Sequence, residues 1–269
     1  MGKREFAADG GTIRYWVSRA GDDAPRLVFL PGLTADHRLF DDQVRHFEGK
    51  ASVLVWDPPS HGESRPFALD WSMDDLAWML RRVLVREGFG RPVLVGQSMG
   101  GYVAQAYLDL HPDEAAGFVS IDSCPLKRSY YTAAELWALK HTRGIFRTIP
   151  WGTLRRIAVE GVATSERGRA VMREIVDSFN RNDYIDLAVH GYRVLAEAVE
   201  ADRRYEIVCP ALLICGEKDG AGSAKRYNRA WAEREGLPLE WIEGAGHNSN
   251  SDEPERVNGL IERFVAEIV

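Results

Sequence analysis

Four short apolar runs recur along the first half of the chain: Leu27-Val28-Phe29-Leu30, Val53-Leu54-Val55-Trp56, Val93-Leu94-Val95 and Phe118-Val119-Ser120-Ile121. They are continuous where a half-exposed strand would alternate, which is the pattern of strands covered on both faces. A fifth run, Ala211-Leu212-Leu213-Ile214-Cys215, follows later, and Leu239-Glu240-Trp241-Ile242 reads as the last. Asp9-Gly10-Gly11, between Phe6 and the alternating stretch 12–17, reads as the turn of an opening hairpin. Helical segments separate the runs. One is expected over 72–86, opening on the capping-box-like Ser72-Met73-Asp74-Asp75; another over 99–110, ended by His111-Pro112; and an amphipathic one from 253 onward. This alternation predicts an α/β fold: a mostly parallel sheet, eight-stranded with the hairpin included, covered by helices on both faces.

Between about 125 and 205 the rhythm stops. The stretch is rich in Arg, Tyr and Trp and contains no convincing strand. Thr132-Ala133-Ala134-Glu135 is a capping box, and 151–161, 166–179 and 183–200 have helical periodicity. A structureless loop of that length is uncommon in a compact domain, so the segment reads as an inserted helical lid. The organisation expected is 1–124 as the first part of the core, 125–205 as the lid and 206–269 as the second part.

One strand-to-helix junction carries chemistry. Gly96-Gln97-Ser98-Met99-Gly100 directly follows the run 93–95 and directly precedes a helix. This is the G-x-S-x-G nucleophile elbow in the context it requires. A sharp turn there lifts the serine hydroxyl above the sheet edge, while Gly96 and Gly100 keep side chains out of the crowded corner. The helix N-terminus offers N–H groups and positive dipole character to a developing oxyanion.

At these residues the chain resembles the α/β-hydrolase superfamily, in its capped, esterase-like branch. The resemblance covers nearly the whole chain, is specific for the core and weak for the lid. It implies a base and an acid for Ser98. His247, in Gly244-Ala245-Gly246-His247-Asn248 after the last strand, matches the loop that delivers histidine in the family, in the family's chain order. Asp219, in Cys215-Gly216-Glu217-Lys218-Asp219, matches the strand-G-x-x-D placement of the acid. Asp122, ending the preceding strand, is the alternative acid, since some members use that position. Leu30-Pro31-Gly32-Leu33-Thr34 stands where similar proteins carry His-Gly; the glycine permits the turn that aims the next N–H inward, so the oxyanion donors expected are the backbone N–H groups of Leu33 and Met99. Asp57-Pro58-Pro59-Ser60-His61-Gly62-Glu63-Ser64 resembles the family's D-x-x-G-x-G-x-S loop and reads as architecture, with His61 packing the loop. His37 is either a substrate contact or a surface residue.

Other classes of function find little support. The net charge is −6, which does not suggest a nucleic-acid binder. No zinc-ligand pattern, paired cysteine cluster or glycine-rich phosphate loop occurs, so no metal and no cofactor are expected. Three cysteines, Cys124, Cys209 and Cys215, fit a reduced compartment. The start of the sequence lacks the apolar run of a signal peptide, and no stretch is apolar enough to span a bilayer, so a cytoplasmic protein without membrane partner is expected. Oligomeric state is not readable.

The reaction expected is hydrolysis of a carboxylic ester or related acyl bond in a small, apolar molecule, through an acyl-enzyme on Ser98. Serine at the elbow separates the chain from relatives that use aspartate there. Esters, lactones, thioesters, amides and vinylogous C–C bonds stay open. So do a triad-based lyase, a cofactor-free peroxidase-like enzyme and a slow-turnover ligand receptor. In the lid, Tyr130, Tyr131, Trp137, Phe146 and Trp151 are candidates for the roof of an apolar pocket, although aromatic residues at helical spacing are more often core. Arg143, Arg147, Arg155 and Arg156 read as a solvated face rather than an anion site.

Overall fold

A computed structural model describes residues 1–269. The chain opens with the hairpin β1 (Gly2–Ala8) and β2 (Gly11–Ser18), followed by β3 (Arg26–Leu30), α1 (Asp41–Phe47), β4 (Ser52–Asp57), α2 (Met73–Glu87), β5 (Val93–Gln97), α3 (Met99–Leu110) and β6 (Gly117–Ile121). Five helices then follow without a strand: α4 (Ala133–Lys140), α5 (Thr142–Thr148), α6 (Trp151–Glu160), α7 (Glu166–Asp177) and α8 (Arg181–Glu200). The sheet resumes with β7 (Ala211–Gly216), α9 (Ala224–Glu235) and β8 (Leu239–Ile242), and the chain closes with α10 (Ser249–Asp252) and α11 (Pro254–Ile268).

The eight strands form one sheet in the order β1-β2-β4-β3-β5-β6-β7-β8. β1, β2 and β4 are joined antiparallel, and every pairing from β4 through β3 to β8 is parallel. Burial follows that division. β4, β5, β6 and β7 are buried at every position, whereas β2 alternates between buried and partly exposed. Helices on both faces account for the first pattern and a half-covered antiparallel margin for the second. α1 and α11 pack together on one face, α2 packs beside α3 on the other, and α9 lies against β7 and β8.

The predicted caps form. Ser72 Oγ accepts from the Asp75 N–H at 3.2 Å while Asp75 Oδ2 accepts from the Ser72 N–H at 2.8 Å, and Thr132 and Glu135 do the same for α4. Besides the short α5 and α10, two helices, α1 and α9, fall outside the sequence expectations. α1 has seven residues, too few for a period, and buries only Gln43 and Phe47. α9 buries Ala224, Tyr227, Asn228 and Trp231, an i, i+3, i+4, i+7 stripe that is legible once Asn228 is counted with the apolar positions.

The parallel strands place their C-terminal ends along one rim of the sheet. Ser98 follows β5, Asp122 follows β6, Asp219 lies just beyond β7 and His247 just beyond β8. Residues far apart in sequence thereby reach one place, at the edge where open α/β sheets hold their ligands.

Candidate active site

Ser98 sits at φ 49° and ψ −118°, between the last residue of β5 and the first of α3. Few residues hold a positive φ without surrounding structure to enforce it. Here the Ser98 N–H donates to Ile121 O at 2.9 Å and its carbonyl accepts from Ser123 Oγ at 2.7 Å and from the Gly101 N–H. Close approach enforces glycine next door: a Cβ on Gly100 would stand 1.9 Å from Leu30 O.

The serine hydroxyl lies 2.9 Å from His247 Nε2, and His247 Nδ1 lies 2.9 Å from Asp219 Oδ2. The other Asp219 oxygen accepts from the Ala221 N–H at 2.8 Å. Burial works against protonation of His247. The charge of Asp219, its hydrogen bond and the more distant Asp122 outweigh that cost and hold the imidazole above its usual value of 6.5.

Asp122 has other partners. Its Oδ1 accepts from the Gly216 N–H at 2.7 Å; its Oδ2 accepts from the Ser249 N–H at 2.9 Å and the Ser249 hydroxyl at 2.6 Å. Burial and then the nearby Asp219 charge push its carboxyl up to about 7. It ties the end of β6 to β7 and to the segment after His247 and makes no hydrogen bond to the imidazole. Glu217, one residue past β7, receives the Gly244 N–H at 3.3 Å instead.

The turn after β3 lies against Ser98. A Cβ on Gly32 would stand 3.0 Å from Ser98 Cβ. Neither the Leu33 nor the Met99 N–H is engaged by an acceptor within the chain. Gln97, which the sequence reading passed over, ties the elbow to the histidine loop: its amide donates to His247 O at 2.8 Å and to Asn248 Oδ1 at 3.1 Å. His37 is engaged by architecture, stacked on Trp16 at 3.7 Å and 2.8 Å from Asp57 Oδ1 through Nδ1. His61 is fully buried, 2.9 Å from Pro59 O through Nδ1, and burial lowers it to about 4, so it stays neutral.

The aromatic candidates of the inserted helices do not come together. Trp137 needs correction as a pocket residue: it is 62% exposed and stacked on His141, because α4 turns Leu136 and Leu139 inward and this face outward. Tyr130 and Tyr131 are buried fasteners. The Tyr130 hydroxyl donates to Glu235 at 3.0 Å, and the Tyr131 and Tyr102 hydroxyls are 2.7 Å apart. Phe146 and Trp151 pack against Tyr192 and Tyr184, both on α8. That helix reaches the candidate site directly, since a Cβ on Gly191 would stand 2.3 Å from Leu33 Cδ1. Arg143 and Arg155 pair with Asp186 and Asp177, as a solvated face would.

Comparison with known proteins agrees with this architecture. Residues 27–260 match the sequence model of a family described as the alpha/beta hydrolase family. An sn-1-specific diacylglycerol lipase of Danio rerio is 26% identical over 249 residues, spanning 87% of this chain and 76% of that one. A carboxylesterase structure from the thaumarchaeon Nitrososphaera gargenis superposes with a TM-score of 0.77 at 17% identity, over 98% of both chains. The enol-lactonase of Burkholderia xenovorans gives 0.75 at 22% identity, over 98% of this chain and 100% of that one. No helix is long and apolar enough to cross a membrane.

Proposed function

Because this chain belongs to the alpha/beta hydrolase family, and is an enzyme of the hydrolase class, we propose that it cleaves a carboxylic ester or related acyl bond of a small, apolar molecule, with Ser98 as nucleophile. The observation that carries the proposal is the unbroken relay from Asp219 Oδ2 through both nitrogens of His247 to Ser98 Oγ, each link 2.9 Å long. A carboxylate can only accept, so Asp219 holds the proton of the imidazole on Nδ1. Nε2 is then the free base facing the serine hydroxyl.

The steps follow from those roles. Ser98 Oγ attacks the carbonyl carbon as His247 Nε2 takes its proton. The N–H groups of Leu33 and Met99 receive the oxyanion. His247 returns its proton to the leaving oxygen, giving the acyl-enzyme. Water, deprotonated by the same nitrogen, attacks the acyl carbon; the intermediate collapses to the acid and Ser98 regains its proton. Asp219 stabilises the imidazolium throughout, and Asp122 braces the loops around it. The relatives' names, a diacylglycerol lipase, a carboxylesterase and an enol-lactonase, share one bond type, an acyl carbon bonded to oxygen. The apolar preference is supported by the Leu33 side chain at the oxyanion turn, against which Gly191 of α8 packs.

A fluorophosphonate probe and p-nitrophenyl acetate test this directly. The wild-type chain should carry an adduct on Ser98 and turn the ester over; Ser98→Ala should do neither. Equal slow hydrolysis by both proteins, with no adduct, would refute the assignment.

A further inference from the structure

The loop that carries His247 is not held by the sheet alone. On its N-terminal side the Gly246 N–H donates to Asp252 Oδ2 at 2.8 Å. On its C-terminal side the Asn248 N–H donates to Val162 O at 2.8 Å. Val162 belongs to the turn between α6 and α7, within the inserted helices. The same turn reaches Asp252 from above. The Thr164 N–H lies 3.0 Å from Oδ2 and 3.1 Å from Oδ1, and the Ser165 N–H and hydroxyl each lie 2.8 Å from Oδ1. The Thr164 hydroxyl has one proton to place between Asp252 Oδ2, at 3.0 Å, and Gly244 O, at 2.8 Å.

Asp252 is 7% exposed, and its hydrogen bonds come from Thr164, Ser165 and Gly246. Its oxygens are surrounded by N–H and O–H donors alone, from the inserted turn and from the residue before His247. A buried acidic group in that position holds its surroundings tightly, because any donor that moves away leaves a lone pair without water or partner.

We propose that Asp252 is a positioning residue for His247, and that Thr164 and Ser165 of the inserted helices act on the chemistry through it. The proposal rests on the assignment of His247 as base. The α6–α7 turn is thereby part of the catalytic frame. Asp252→Asn is the informative change. An amide keeps the shape but points donors at donors, at Gly246 and Thr164 or at Ser165, so the loop must shift. Displacement of a reacting group by about 1 Å costs on the order of 100-fold.

The experiment compares wild type, Asp252→Asn and the double variant Thr164→Val, Ser165→Ala, which removes both hydroxyls and keeps the carboxylate. Each is assayed for kcat and KM on p-nitrophenyl acetate, for the rate of fluorophosphonate labelling, and by proton NMR for the low-field His247 Nδ1–H resonance. The expected result for Asp252→Asn is a loss in kcat and labelling rate of about 10- to 100-fold, with KM within about twofold, and a shifted or broadened resonance. The double variant should lose several-fold in kcat. Folded Asp252→Asn with wild-type kcat and an unmoved resonance overturns the proposal. Should Asp252→Asn fail to fold, wild-type kcat and resonance in the double variant overturn it equally. The resonance reports ring placement whether or not Ser98 turns over. An unlabelled wild type would therefore refute the serine hydrolase reading separately, while an unmoved resonance refutes this one.

Discussion

Asp219 and Asp122 stand at the ends of neighbouring strands, and exchanging each for asparagine separates their roles. In Asp219→Asn the backbone N–H of Ala221, 2.8 Å from Oδ1, keeps the amide oxygen on its own side. The amide nitrogen then faces His247 Nδ1 and donates to it. The imidazole answers by carrying its proton on Nε2, toward Ser98, and no base faces the hydroxyl. A triad with its tautomer reversed in this way loses about 10⁴ in kcat. At about 1.4 kcal/mol for each factor of ten, that is roughly 5.5 kcal/mol of barrier. In Asp122→Asn the penalty falls elsewhere. One amide oxygen can serve Gly216 or Ser249 but not both, and an unsatisfied buried N–H costs about 1–3 kcal/mol of stability. For a chain of this size that is a fall in Tm of about 2–12 °C, with activity within about tenfold of wild type. Ester turnover at saturating substrate and thermal unfolding, measured on both variants, give the answer. A folded Asp219→Asn with more than a tenth of wild-type kcat, or an inactive Asp122→Asn of unchanged Tm, would refute the reasoning and exchange the two roles.

Three further outcomes are expected. In the proposed mechanism only neutral His247 acts as a base, and its pKa is raised above 6.5, so kcat/KM should fall on the acid side with a midpoint above 6.5; Asp122→Asn removes one raising charge and should move that midpoint down. An unmoved midpoint in the variant counts against the charge argument. Gly191→Ala places a methyl 2.3 Å from Leu33 Cδ1, so the Leu33 side chain at the oxyanion turn must give way. Circular dichroism should show a folded protein, unfolding should show about 1–3 kcal/mol lost, and kcat should fall severalfold. Ser98→Gly abolishes activity but releases a positive φ worth about 1–3 kcal/mol, against about 0.5–1 kcal/mol of added chain entropy. Denaturant titration should find it at least as stable as wild type; a clear loss of stability would remove the strain from the account of the elbow.

The residues legible in the sequence are those whose identity is set within a few positions. Ser98 is marked by a buried strand on one side, a helix on the other and glycines between. The two-faced burial of β4 to β7 is written as unbroken apolar runs, and the caps of α2 and α4 as Ser-x-x-Asp and Thr-x-x-Glu. The choice between Asp219 and Asp122 is not local. It depends on which carboxylate the Gly216 and Ser249 N–H groups saturate, and those donors lie 94 and 127 residues from Asp122. Asp252 escapes for the same reason. In Asn248-Ser249-Asn250-Ser251-Asp252 it reads as one polar residue among several, and its burial comes from donors 87 and 88 residues away. Trp137 misleads in the opposite sense, since an apolar residue in a short helix is drawn inward only if the neighbouring helix offers a face to it.

The order of the strands has a consequence for how the enzyme comes into being. Ser98 and His247 are 149 positions apart, and His247 follows the edge strand, which is the last to be made. In the proposed mechanism a ribosome therefore exposes the elbow long before it exposes the base. The pairing of β7 with β6 must likewise close across the whole helical insertion, a long loop whose closure slows folding. Catalytic competence, on the proposed roles, is thus the last property the molecule acquires. Recovery of turnover after dilution from denaturant should trail the recovery of helix signal, and that lag reports the docking of the final strands.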